Sequence, residues 1–219
     1  MWSSEVINMI VAGIGETLYI TLATTFLGYV FGLPMGVLMA LTAKEGIKPN
    51  YIVYKVLDVV ANITRSIPFL ILLILLIPFT RLVVGKSYGP SATIVPLVVA
   101  AVPLIARMVE SSLRDVDEGV IEAARSMGAG PFTIVSRVLL VEARISLVMG
   151  VTIALGTILG YSTMAGVVGG GGLGDIAIRY GYYRYQSDIM IVTVILLIVL
   201  VQLFQTIGNR LSIRLDKRK

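Results

Sequence analysis

The residues that come nearest to a ligand-cradling pattern are the glycines of the run GGGGLG, where Gly169, Gly171 and Gly174 reproduce G-x-G-x-x-G. That spacing holds a pyrophosphate when it joins a strand to a helix in a βαβ unit. Here the run follows a long apolar stretch and no P-loop lysine comes after it, so dinucleotide binding is excluded. Two readings remain. Gly169, Gly170, Gly171, Gly172 and Gly174 form either a tight, close-packed or re-entrant turn that side chains would obstruct, or a flexible loop. Covalent and acid–base chemistry fare no better. The chain has neither His nor Cys, which removes imidazole bases, thiol nucleophiles, disulfides and the usual zinc ligands together. A Ser-Lys arrangement would be the surviving nucleophile and base, yet every lysine falls in a predicted loop or in the tail. No catalytic residue, metal or cofactor of its own is expected. The sequon Asn62-Ile63-Thr64 lies in or near an apolar stretch and carries no meaning as a glycosylation site.

The elements that must position such residues are membrane spans. The 219 residues are 57% hydrophobic and 14% charged, with a mean hydropathy of +0.92, whereas a soluble domain runs to about 25% charged. A hydrocarbon core about 30 Å thick needs about 20 apolar residues per helix. About five such stretches occur, at Thr17–Leu41, Val56–Phe79, Ala92–Val109, Ile145–Val168 and Ile189–Ile207. The expected fold is therefore all-α and polytopic. Prolines 34, 68, 78, 96 and 103 lie within or at the ends of spans and predict kinks, tolerable where neighbouring helices satisfy the freed carbonyls. Residues 1–12 read as an N-terminal segment, 13–207 as one transmembrane domain and 208–219 as a basic tail. The segment MWSSEVINMI lacks the positive n-region of a cleavable signal peptide, so the first span is expected to stay.

The net charge of +5 is distributed as membrane loops require and not as a nucleic-acid patch would be. Lys44, Lys48 and Lys55, then Arg114, Arg125, Arg137 and Arg144, then Arg210, Arg214, Lys217, Arg218 and Lys219 fall on one side. Arg81, Lys86, Arg179 and Arg184 fall on the other. The positive-inside bias then places the N-terminus outside and the C-terminus in the cytoplasm. Tyr180, Tyr182, Tyr183 and Tyr185 precede the fifth span at the outer headgroup level. They form an aromatic belt or part of a docking surface for an external partner, and the residues do not separate the two.

The loop between spans three and four, over about residues 110–144, is too long and too patterned for a linker. Asp115 with Glu118 resembles a capping box, Val120, Ile121 and Ala124 follow at helical spacing, and Gly128 makes a stop. Pro131 suits the first position of a second helix with Phe132, Val135, Val138 and Leu139 on its apolar face. Such a hairpin calls for a protein partner, the alternative being a helix lying on the lipid surface. The small residues Ala123, Ala124 and Gly128 would admit another backbone closely, and Glu122 could accept hydrogen bonds from a basic group.

These residues carry a resemblance. Glu122-Ala123-Ala124, then Gly128, then Val138-x-Leu140 resembles the EAA motif of the permease subunits of ABC importers, E-A-A-x3-G-x9-I-x-L-P. Val138 replaces its isoleucine and Val141 its final proline. Across nearly the whole chain, GETLYITLATT, TRSIPFLILLILLIPFTRLVVG, IARMVESSL and GYSTMAGVVGGGGLGDIAIRYGYYRYQ are similar in the same order to methionine-importer permeases. The resemblance implies a multi-pass bacterial inner-membrane subunit whose hairpin is a coupling helix docked on a cytoplasmic ATPase. It also implies an extracytoplasmic binding protein that delivers the ligand, and ATP with Mg bound by the partner ATPase and not by this chain. With one coupling loop and five spans, a homodimer with the path on its two-fold axis and two ATPases below is expected. The substrate implied is methionine, with another amino acid or small solute as the alternative.

For a zwitterionic apolar amino acid the path should offer hydroxyls and soft apolar groups. Tyr161, Ser162, Thr163 and Met164 fit a lining or gate, Met164 because a thioether can close a gap and yield; helix packing would explain the same residues. Asp58, Arg107 and Glu110 need partners, Arg107 and Glu110 being spaced as a helix-face pair. Arg65 is expected to snorkel or to pair within the bundle, without a substrate role. A secondary transporter would show inverted repeats and midplane acids, and none is evident.

Overall fold

The structure, a computed structural model, describes residues 3–215. Lys217, Arg218 and Lys219 of the basic tail lie outside the described residues. Every regular element among the described residues is helical. Four helices are long and apolar enough to cross a membrane, and a bent pair makes up to five.

Helix α1 (Ser4–Thr42) opens with Ser3 as N-cap, its side chain accepting from the Val6 amide. At 1.5 Å per residue it is about 58 Å long, and residues 4–12 belong to the same helix as the first span. α2 (Tyr51–Ser66) is capped by the Asn50 side chain, which accepts from the Val53 amide. It holds Lys55, which is thus helical and not in a loop. α3 (Phe69–Leu75) leaves α2 at 102°, so the stretch expected as one span over 56–79 is broken. The cause is local: Ile67, the residue before Pro68, takes an extended conformation (φ −82°, ψ 125°), as steric conflict with a proline ring demands. α4 (Ile77–Val84) ends on Gly85 in the left-handed region.

α5 (Pro90–Arg114) is the axis of the bundle. Leu97, Ala101, Ile105 and Ala106 on it are fully buried. α1 reaches it through Gly28, Gly32 and Gly36, four residues apart on one face. A Cβ at Gly32 would stand 2.9 Å from Ile105 and from the Val102 carbonyl, and one at Gly36 would overlap the Ala106 carbonyl and meet Val109. Small residues at this spacing let helix backbones approach where no hydrophobic force separates helix from lipid.

After α5 comes the hairpin: α6 (Glu118–Ser126), α7 (Pro131–Thr133), a π-helical stretch Ile134–Leu139 and α8 (Leu140–Glu142). α9 (Arg144–Ala165) returns through the bundle, a 3₁₀ turn covers Gly166–Val168, and α10 (Gly172–Ile176) runs into a second π-helical stretch, Ala177–Tyr182. α11 (Ser187–Leu215) closes the chain against α9. There Gly208 faces Thr152 so closely that a Cβ would collide with its hydroxyl.

Candidate functional site

The hairpin departs from expectation at its cap. Asp117, not Asp115, caps α6, accepting from the Gly119 amide at 2.8 Å. Asp115 still belongs to the last turn of α5, its amide bonded to the Ser111 carbonyl. Gly128 stops the helix in the left-handed region (φ +80°) with open space around it. Its role here is backbone conformation, which a Cβ would strain. Ala124 is not free to meet a partner: it is 5% exposed and packs with Ile134 and Leu139 under the hairpin. Glu122 and Ala123 do face outward. On the second arm Phe132 points away, 84% exposed, while Ile134, at 1%, takes its expected inward place. The π-helical stretch shifts the register there, which explains the exchange. The passage into α9 forms at Ala143 without a proline, and Val141 is exposed.

Above the hairpin, α2 and α5 are tied by charge. Arg107 pairs with Asp58 and, at 2.8 Å, with Glu110. Its guanidinium also donates to the Asn62 side-chain oxygen at 3.0 Å. Glu110, 4% exposed, accepts in addition from the Tyr54 hydroxyl at 3.0 Å. The expected Arg107–Glu110 pair is therefore one edge of a larger knot that also engages Asp58. Arg65 has no hydrogen bond or ion pair among the described residues. It opens on a groove of about 320 Å³ that Arg107 shares, with Ser111, Ser112, Ser146, Met108 and Met149 on its walls.

The glycine run is a packed turn, not a flexible loop. Gly170, Gly171, Gly172 and Gly174 are buried, and Gly169, Gly171 and Gly172 have positive φ. A Cβ at Gly174 would lie 2.5 Å from Thr163 Cα. α1 holds the turn from the side: Glu16 accepts from the Gly172 amide at 2.7 Å and Thr17 Oγ1 from the Leu173 amide at 2.9 Å. Asp175, 4% exposed, pairs with Arg179. Sequence reasoning missed Glu16 and Thr17 because their partners lie 156 residues away.

Of the four path candidates, the structure separates packing from exposure. Ser162 is buried and donates to the Leu159 carbonyl at 2.8 Å, and Thr163 donates to Gly160 at 2.6 Å. Both hydroxyls are spent on their own helix. Tyr161 stacks on Phe69 of α3 with ring centroids 4.7 Å apart. Met164 alone of the four is exposed, at 50%. Tyr182, Tyr183 and Tyr185 are exposed, and Arg184 lies 4.6 Å over the Tyr180 ring.

The model of the family "binding-protein-dependent transport system inner membrane component" matches residues 32–218. The chain is 47% identical over 217 residues to the probable D-methionine transport system permease protein MetI of Vibrio cholerae, covering 99% of this chain and 96% of that one. Against the D-methionine transport system permease protein MetI of Escherichia coli it is 49% identical over 164 residues, 75% of this chain and 76% of that one. It superposes with a TM-score of 0.97 on a chain of the MetNI methionine ABC transporter in an inward-facing conformation. That chain is 47% identical, with 99% of this chain and 100% of that one covered. A chain of an amino acid ABC transporter with histidines shares the fold alone, at a TM-score of 0.74 and 22% identity over 95% and 94% of the two chains. Spans broken and packed as here, a helical hairpin between α5 and α9 and these likenesses give one conclusion: the chain belongs to the family of binding-protein-dependent transport system inner-membrane components.

Proposed function

We propose that this chain is the permease subunit of an ATP-driven methionine importer. The observation that carries the reading is near-full-length likeness, at 47% identity and a TM-score of 0.97, to a chain of a methionine ABC transporter. Two copies would enclose the path at a two-fold axis, since a single chain of up to five spans leaves its grooves open at the side. The hairpin lies in the cytoplasm, as the arginine and lysine bias argues, and each copy docks one ATPase there.

Glu122 and Ala123 form the outward face of the coupling helix. Gly128 sets the direction in which α6 leaves the hairpin. Ala124 serves the docking indirectly, by seating α6 on the second arm. Closure of two ATPases around ATP and Mg would move both hairpins together, and the packed α1–α5 seam would carry that motion to the opposite end of the bundle as a rigid body. An extracytoplasmic binding protein would deliver the ligand at the end where the glycine turn lies. Met164 remains the candidate gate of the four, because its flexible thioether is the one exposed.

The test is uptake of radiolabelled methionine into liposomes holding the permease, its ATPase and its binding protein. ATP-dependent accumulation is expected. ATP-dependent uptake of a different amino acid, with methionine neither carried nor competing, would overturn the substrate assignment.

A further inference from the structure

Two arginines share the groove at the hairpin end of the bundle, and they are not equivalent. Arg107 is held by Asp58, Glu110 and Asn62, so its charge is balanced and its donors are engaged. Arg65, at the last turn of α2 beside the Pro68 bend, has no partner among the described residues and opens on the same groove. An arginine that merely stabilised the fold would pair with Asp58, two turns earlier on its own helix, or with Glu110 on α5. Here Arg107 has taken them.

The rest of the groove is suited to a small amphiphile. Ser112 and Ser146 hydroxyls bond each other at 2.7 Å across α5 and α9, and Ser111 is exposed beside them. Met108 and Met149 supply an apolar, polarisable wall. The volume, about 320 Å³, is that of a cleft for a small ligand.

We propose that this groove is a release station on the cytoplasmic side of the path, where Arg65 receives the carboxylate of the departing amino acid and Met108 and Met149 receive its side chain. The proposal rests on the importer reading. A guanidinium suits the task because it binds a carboxylate through two parallel hydrogen bonds. Its exposure keeps that hold weak enough for the ligand to leave. A carboxylate and a lipid phosphate offer Arg65 the same chemistry, so the experiment must separate them.

Arg65→Gln and Arg65→Lys are each reconstituted with the ATPase and the binding protein, in vesicles of phosphatidylcholine alone and of phosphatidylcholine with phosphatidylglycerol. Methionine uptake and ATP hydrolysis are measured in parallel. In both vesicle types Arg65→Gln is expected to hydrolyse ATP at the wild-type rate while uptake per ATP falls about tenfold, the worth of one charge-assisted contact. Arg65→Lys should retain part of the uptake. Unchanged uptake per ATP in Arg65→Gln overturns the proposal. So does a defect confined to vesicles with phosphatidylglycerol, which assigns Arg65 to lipid, or loss of the dimer on size exclusion, which assigns it to the interface. If wild-type protein hydrolyses ATP but carries no methionine, the importer reading fails and not the role of Arg65 alone.

Discussion

Gly36→Ala tests how tightly α1 is seated on α5. The new Cβ would stand 2.7 Å from Val109 Cβ and would overlap the Ala106 carbonyl oxygen. The oxygen belongs to the backbone of the central helix, so relief requires one helix to shift. Overpacking of this kind costs about 1–3 kcal/mol. Alanine returns about 0.5–1 kcal/mol over glycine in a helix interior, which leaves a net loss of about 0–2.5 kcal/mol, and the backbone clash places Gly36 in the upper part of that range. At about 2–4 °C per kcal/mol for a chain of this size, the apparent melting temperature should fall by several degrees. Gly15→Ala supplies the control on the same helix, because nothing lies within 4 Å of its Cβ position. It should melt at or slightly above wild type. Size-exclusion profiles of detergent-solubilised protein after graded heating measure both. If Gly36→Ala and Gly15→Ala melt alike, the α1–α5 seam is not closely packed and its role as a rigid transmitter fails.

Arg107→Met should cost about 2–4 kcal/mol, because it takes from the buried Glu110 and its neighbour Asp58 their nearest counter-charge and leaves only the more distant Arg114, 4.0 Å from Glu110, and Lys55, 3.8 Å from Asp58; Arg107→Met with Glu110→Gln should recover part of that loss in the same melts, and no recovery would mean the pair is not what matters. Thr17→Val preserves shape but removes the acceptor of the Leu173 amide, so a loss of about 1–3 kcal/mol is expected. A wild-type melt for Thr17→Val would show that α1 does not hold the glycine turn.

Much of this architecture was legible in residue types, and the parts that were not share a cause. Apolar length marked the spans, Pro131 marked the start of α7, and Gly128 marked the end of α6, since each signal is local. Span two reads as one kinked span because Ile67–Phe79 is uniformly apolar, and a proline in the sequence marks a bend at Pro68 without revealing that it reaches 102°. α2 shows why: its apolar stripe faces outward while Asp58 and Asn62 face α5, so it is half a span and half a polar partner. The seam of Gly28, Gly32 and Gly36 was present in the four-residue spacing and went unread, though small residues at that interval are a known packing signal in membranes. Two of the path candidates illustrate a different gap. Ser162 and Thr163 are hydroxyls of the expected kind, but a buried hydroxyl in a helix bonds its own preceding turn, and type alone does not reveal that. For Arg65 the deciding fact was which arginine had claimed the carboxylates, a matter of three-dimensional proximity.

The most direct test of the central claim measures ATP hydrolysis by the liposome-reconstituted permease–ATPase complex, comparing wild type with Glu122→Lys plus Gly128→Trp. Both substitutions fall on exposed positions of the hairpin, so membrane insertion should be unaffected. The account predicts a variant that inserts normally and neither retains nor couples the ATPase. A variant that binds the ATPase and stimulates it as wild type does would contradict the assignment of the hairpin as the docking element, and with it the mechanism built on that contact.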